Sequence, residues 1–323
     1  MLLDTRVVYL FIYVSDLDRS RDFYSQKLGL RIIEEDEGCV KFDAGPTILA
    51  LNRATDYGIA LPEGRDSSAD IVFLVNNIDN TCAELQARGV KLGRTDRYQP
   101  GAITDFYDPD GHWLTLYEPN DAAMSWPSGD RLRAVMNLRH GANGNGHGNG
   151  TIASTQSKGR GLEGSDLVYV FLFVKHPGET QTFYREALGL RDLEGGPCSR
   201  GTEADSDGVV KYDTGGVMLT THRIYEDRTD AQVDEHMCPP NELKDGWMQT
   251  VAPVLHARNL AECAQKISEA FPALAPQVKH SAIGVIASLD DPSGHKLFLY
   301  EPSEEALRSP SGAKLKELLA MQW

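Results

Sequence analysis

Histidines come first among the residues able to do chemistry, because imidazole can ligate a metal ion or move a proton near neutral pH. His112 and His295 hold the same place in two nearly identical stretches, "DPDGHWLTLYEP" from Asp108 and "DPSGHKLFLYEP" from Asp291. Each follows the Gly of a tight turn that carries Pro second and Gly fourth. The expectation for both is a solvated turn histidine at a sheet edge. His222 and His256 fall in strand-like stretches, where either could face a ligand or be a hydrogen-bonded structural residue. "HMC", His236 to Cys238, offers two ligand types in one polar loop, a weak metal pattern. A separate set could do proton chemistry. Tyr9 or Tyr169 could polarise a carbonyl while Asp70 acts as base, the roles needed for proton transfer beside a carbonyl. No spacing compels that pairing, so Tyr9, Asp70 and Tyr169 stand as catalytic candidates without assigned roles.

The elements that position these residues are written twice. "VYLFIYVSDLDRSRDFYSQKLGL" at Val8 parallels "VYVFLFVKHPGETQTFYREALGL" at Val168, and "VKFDAGPTILALNRA" at Val40 parallels "VKYDTGGVMLTTHRI" at Val210. The repeat continues, more weakly, from "FLVNNIDNTCAELQ" at Phe73 to "VLHARNLAECAQKI" at Val254, and past the twin hairpins to "PSG" followed by an amphipathic helix. Each copy reads as strand, helix and three strands, twice over, with the second unit's strands partly cryptic. Domains are therefore expected at 1–138 and 166–323, joined over 139–165 by a flexible Gly/Ser/Asn linker. Two acidic, Gly- and Pro-bearing insertions, near 195–208 and 233–246, enlarge the second copy as surface loops.

Strand alternation sorts the rings. Tyr9, Phe11 and Tyr13 share one face of the first strand, and Tyr169, Phe171 and Phe173 share the matching face of its copy. Trp113, Thr115 and Tyr117 alternate likewise, as do Phe298 and Tyr300. Such faces either line a ligand cleft or pack the two modules together. A hollow of this kind would hold an aromatic or amphipathic molecule by ring stacking, with Tyr hydroxyls fixing orientation.

The bulk properties bound the partners. The chain has 323 residues and a formal net charge of -15, which disfavours phosphate backbones and anionic lipid. The five cysteines include no Cys-x-x-Cys pair, which suits reduced thiols in a cytoplasm. "VVYLFIYV" from Val7 could pass for a signal-peptide core, but "LVYVFLFV" repeats it at Leu167, so both are expected to be strands. No apolar run approaches the ~20 residues of a membrane helix. Expected, then, is a cytoplasmic protein with a small-molecule partner, without nucleic acid or membrane, and with a homodimer left open.

The pattern resembles the vicinal oxygen chelate superfamily, which includes glyoxalase I, extradiol dioxygenases and bleomycin-resistance proteins. The residues that carry the resemblance are "VSDLDRSRDFYSQKLGL" at Val14, the "DPDGHWLTLYE" hairpin and their second copies. The resemblance implies an α+β fold of tandem βαβββ modules, whose curved mixed sheets form a cleft. It also implies metal-ligand positions, and here they are filled by other residues. The first-strand position holds Tyr9, with Tyr169 as its copy. The middle-strand position holds Asp70, with Val251 or Thr250 as its copy, and the hairpin position holds Thr115, with Phe298 as its copy. A divalent ion needs three or four lone-pair donors at ~2.0–2.2 Å, and these residues supply no such set. The expected cofactor is none, a divalent metal on atypical ligands being the alternative. Metal-independent binding, or sequestration, of an aromatic guest is the resulting expectation. The alternative is an enzyme of the glyoxalase/dioxygenase kind, metal-dependent or using Tyr9 with Asp70. The ligand-binding expectation names Tyr9, Phe11, Tyr13, Trp113, Thr115, Tyr117, Tyr169, Phe171, Phe173, His222, Phe298 and Tyr300.

Overall fold

A computed structural model describes residues 6–66, 68–141, 161–195, 208–224, 243 and 246–321. Nearly all of both insertions, His236–Cys238 included, lies outside these. Sixteen strands are described. In the first copy they are β1 (Val7–Val14), β2 (Arg31–Glu35), β3 (Cys39–Asp43), β4 (Ile48–Arg53), β5 (Ala69–Leu74), β6 (Leu92–Tyr98), β7 (Gly101–Tyr107) and β8 (Trp113–Pro119). The second copy contributes β9 (Asp166–Val174), β10 (Asp192–Gly195), β11 (Val210–Tyr212), β12 (Met218–Arg223), β13 (Val251–His256), β14 (Gln277–Ser281), β15 (Gly284–Asp290) and β16 (Lys296–Pro302). Each copy is thus βαβββ twice. The strands hidden from a sequence reading are β2 and β6, whose polar residues blur the alternation.

The strands form two eight-stranded sheets, and neither sheet belongs to one copy. The first sheet runs β14-β15-β16-β13-β1-β4-β3-β2, and the second runs β10-β11-β12-β9-β5-β8-β7-β6. At the seam of the first sheet, β1 lies antiparallel to β13, with Phe11 opposite Ala252. At the seam of the second, β5 lies antiparallel to β9, with Asp70 opposite Phe171. Half of each sheet therefore comes from each copy.

Local chemistry sets the helices. Asp16 accepts a hydrogen bond from the Arg19 N–H at 3.0 Å and caps the helix Leu17–Asp22. That helix widens into a π-helical turn at Phe23–Lys27, closed by the Leu28 N–H donating to the Phe23 carbonyl. The second copy repeats the widened turn at Phe183–Ala187. Asn77 and Asn259 cap the helices Ile78–Ala87 and Leu260–Ala270 in the same way. These helices cover one face of the sheets. A continuous apolar cluster there includes Leu10, Ile12, Phe23, Tyr24, Phe73, Leu114, Leu172, Phe183 and Leu255. The other face of each sheet is concave and carries the rings. Within the expected linker, Leu162 is buried and its N–H donates to the Leu28 carbonyl. No helix among the described residues is long and apolar enough to cross a membrane.

Candidate functional site

The twin hairpins do not present their histidines to solvent. His112 and His295 are both fully buried, which corrects the expectation of solvated turn residues. Asp108 organises the first turn: its Oδ1 accepts the Asp110 and His112 N–H groups, and its Oδ2 lies 2.9 Å from His112 Nδ1. The Tyr24 hydroxyl donates to the same carboxylate at 3.2 Å. Asp110 accepts from Ser15 and Arg19, which ties the hairpin to the β1–helix turn. Asp291 repeats the pattern with Ser293, His295 and Tyr184, but His295 turns away and lies 2.7 Å from the Phe173 carbonyl through Nε2. Burial opposes protonation of His112, yet the adjacent Asp108 carboxylate outweighs it and raises the imidazole pKa. The repeated motif is thus a fastening for the fold.

The concave face of the first sheet is apolar and partly filled. Tyr9, Phe11, Phe298 and Tyr300 lie in one ring cluster, with Phe11 and Phe298 centroids 5.4 Å apart. Tyr13 packs edge-on against Tyr57 and is buried with Ala54 and Ala252. The helix Gly312–Ala320 closes one end with Leu315 and Leu318. Its start is pinned by Glu34, which accepts from the Ser311 N–H and from Lys41 Nζ at 2.9 and 2.8 Å. The register also corrects one sequence equivalence. Ala252, opposite Phe11, is the counterpart of Asp70, opposite Phe171. Val251 instead belongs to the helix-side core, and the Thr250 hydroxyl donates to the Trp247 carbonyl. His256 is buried at the end of the same strand, opposite Tyr300.

The second sheet has the same ring architecture around a polar centre. Trp113 stacks on Phe173 with centroids 5.6 Å apart, and His222 lies 5.7 Å from the Phe173 ring. One cross-strand row runs Thr220, Phe171, Asp70, Trp113, Tyr107, and the next runs Met218, Tyr169, Val72, Thr115, Asp105. At their junction, Thr115 Oγ1 lies 2.8 Å from Asp70 Oδ1 and 3.0 Å from Asp105 Oδ1. Burial, and then the Asp105 charge, raise the Asp70 carboxyl well above the ordinary range. Tyr98, whose phenol burial also pushes up, is electrostatically coupled to both aspartates and to Tyr169. The helix Gly129–Gly141 closes the far end with Leu132 and Val135. Glu194 pins its start, accepting from the Ser128 hydroxyl at 2.7 Å and from Lys211 Nζ at 2.9 Å. Tyr117 and Tyr169 are buried against this lid, and the Tyr117 hydroxyl donates to the Pro100 carbonyl.

The expected ring surface is therefore two surfaces. Tyr9, Phe11, Tyr13, Phe298 and Tyr300 line the first sheet, while Trp113, Thr115, Tyr117, Tyr169, Phe171, Phe173 and His222 line the second. Tyr9 and Asp70 stand in different sheets, so the pairing of Tyr9 with Asp70 for proton transfer is overturned. Asp105 and Tyr98 escaped the sequence reading. The signal for Asp105 was an acidic residue midway along the apolar alternation of "AITDFY". Tyr98 lies on the cryptic β6.

The two concave faces differ in their donor chemistry. The second sheet's centre offers two carboxylates and a threonine hydroxyl, and the first offers rings and Ala252. Among the described residues, no group of three or more His, Cys, Asp or Glu could hold a metal ion.

Comparison with known proteins agrees with this architecture. Residues 6–116 match the family described as the Glyoxalase/Bleomycin resistance protein/Dioxygenase superfamily. An uncharacterized Bacillus subtilis protein, YwkD, is 32% identical over 127 residues, which cover 34% of this chain and 94% of that protein. The lactoylglutathione lyase of Schizosaccharomyces pombe is 26% identical over 141 residues, which cover 34% of this chain and 46% of the lyase. The crystal structure of glyoxalase I from Zea mays superposes with a TM-score of 0.58 at 17% identity, covering 97% of this chain and 95% of the maize chain. With two curved α+β sheets, duplicated βαβββ units and these matches, the chain belongs to the glyoxalase/bleomycin resistance protein/dioxygenase superfamily.

Proposed function

We propose that the protein binds a ring-bearing small molecule on the concave face of the second sheet, through stacking and hydrogen bonds rather than a metal. The observation that carries this reading is the placement of the Asp70–Thr115–Asp105 junction among Trp113, Phe171 and Tyr107, all four of Asp105 and the three rings being only partly buried. Rings supply apolar area and orientation, while the carboxylates select a guest able to donate hydrogen bonds. The first sheet's face lacks the acidic pair and is the lesser candidate. The test is calorimetric titration of chelator-treated protein with a panel of polycyclic aromatic compounds. Saturable binding at one site per chain is expected, weakened about tenfold by Phe171→Ala, the loss of one stacking wall. Binding that needs an added divalent metal, or none across the panel, would sink the proposal.

A second reading is proton-transfer catalysis at the same site. It is favoured by the Asp70 carboxyl, which burial and then the Asp105 charge raise well above the ordinary range, beside the Tyr98 phenol, which feels the charge of both aspartates. The lactoylglutathione lyase and glyoxalase I named above make an isomerase or lyase reaction the natural class to assay. Under this reading Asp70→Asn abolishes turnover while ligand affinity stays within a few-fold. Undiminished turnover would remove Asp70 from the chemistry.

A further inference from the structure

The Thr115 hydroxyl has one proton and two carboxylate neighbours, at 2.8 and 3.0 Å. It can donate to only one of them. The other contact is a hydrogen bond only if that carboxyl itself carries a proton and donates it to the threonine oxygen. With both contacts as hydrogen bonds, the Asp70–Thr115–Asp105 chain holds one proton between its two carboxyl groups and one negative charge. The charges that act on Asp70 are those of Asp105 and Asp66, both negative. A further observation points to a guest here. Thr220, fully buried on the same concave face and one strand beyond Phe171 in the Asp70 row, has a hydroxyl with no hydrogen-bond partner. The Trp113 indole N–H, next to Asp70 on the other side of that row, is also buried without one.

We propose that the Asp70–Asp105 pair is a cation subsite, which takes the protonated amine of a ring-bearing ligand and gives up its shared proton when that ligand binds. This rests on the reading of the second concave face as a small-molecule site. The ammonium N–H groups donate to Asp70 Oδ1 and Asp105 Oδ1, and the ring lies among Trp113, Phe171 and Phe173. The ligand's positive charge removes the repulsion that kept one carboxyl protonated, so the pair ionises fully and one proton passes to solvent. Charge balances: a singly charged pair and a monocation become a doubly charged pair with its cation, plus a free proton. Among the described residues, the titratable or charged groups around the pair include Asp66, Tyr98 with Asp96 beyond it, and Tyr107 with Arg65 stacked 4.4 Å above its ring. Beyond the Thr115 row stands Tyr169 with Lys211, whose Nζ is 5.4 Å from that ring. None of these places a second cation on Asp70.

The test compares 2-naphthylmethylamine with 2-naphthylmethanol, two probes that share a ring and differ in charge, by calorimetry at pH 7 in buffers of different ionisation enthalpy. The amine should bind at least tenfold tighter than the alcohol and release close to one proton per site. Asp105→Asn should erase both the preference for the amine over the alcohol and the proton release, and Asp70→Asn should do the same if it folds. Equal affinities, with the alcohol bound, would overturn the cation subsite and leave the aromatic cleft standing. Binding of neither probe would overturn both. Magnesium titrated in place of the amine should give no heat of binding, and a stoichiometric response to magnesium with none to the amine would replace the ammonium guest by an inorganic cation.

Discussion

At the scale of single residues, buried titratable groups make the fold sensitive to pH. The Asp66 side chain is buried, with Oδ1 accepting from the Ser68 N–H and hydroxyl at 2.7 Å and Oδ2 without a partner. Burial pushes its carboxyl up to about 6, against the opposing pull of His112 and the Ser68 hydrogen bonds. A carboxyl that holds its proton more tightly when folded makes the folded state lose stability as pH rises from the ordinary carboxylate value through about 6. His112 adds a loss of the same sign at higher pH. Its raised pKa gives stability that is complete below the ordinary imidazole value and disappears as pH rises through the folded one. Urea denaturation of wild type should therefore show a decline between pH 4 and pH 7. Asp66→Asn should remove roughly 2–3 kcal/mol of that decline, from a shift of about two units at 1.36 kcal/mol each. Identical pH dependence in the two proteins would show that Asp66 ionises normally.

At the scale of elements, the duplicated turns and lids carry much of the order. Gly111 adopts a φ of 97°, and a Cβ there would meet the Gly64 carbonyl oxygen at 2.0 Å. The Asp66 N–H also donates to the Gly111 carbonyl at 2.7 Å, so the turn has no room to move. Gly111→Ala should cost about 2–4 kcal/mol, read as a fall in the denaturation midpoint without a change in slope. The two lid latches test whether duplicated chemistry has duplicated weight. Lys211 is buried and Lys41 only partly so, yet each pairs with a glutamate that also receives a serine. Glu194→Gln leaves Lys211 with an uncompensated buried charge and should cost about 2–4 kcal/mol; Glu34→Gln should cost about 1. Hydrogen bonds from Lys41 and Ser311 overcome burial and bring Glu34 down to about 2, so its contribution is lost only as pH falls below the ordinary glutamate value towards 2. Equal losses in the two variants at pH 7 would mean that burial of the lysine does not set the difference.

At the scale of the whole molecule, the main fact is the exchange of halves. Strands β1–β4 complete their sheet with β13–β16, and β5–β8 complete theirs with β9–β12. Each lid helix follows the hairpin of one copy and is latched by a glutamate and a lysine of the other: Ser128 with Glu194 and Lys211, Ser311 with Glu34 and Lys41. Neither sequence copy buries its own seam. Residues 1–138 and 166–323 produced as separate chains in one cell should therefore associate one to one and sediment together. Residues 1–138 alone should self-associate, pairing β1 of one chain with β5 of another. A stable monomer of 1–138 with native-like denaturation would contradict the exchanged architecture.

Much of the frame was readable from the chain. Turn chemistry and period-two alternation are local, so the hairpins, the ring faces of β1, β8, β9 and β16, and the repeat itself followed from residue types at short spacing. The sequence alone also determined which residues alternate on those faces, Tyr9 and Tyr169 on the first strands, Asp70 on the middle strand and Thr115 in the hairpin. Tertiary structure decided what those faces surround. Pairing between strands more than a hundred residues apart leaves no local pattern, so the exchange of halves, and with it the separation of Tyr9 from Asp70, could not be read in advance. The same long-range register set Asp105 beside Thr115 and sealed His112 and His295 inside the fold. Which carboxylates reach the same threonine depends on ångström distances between strands, and only the folded chain fixes those.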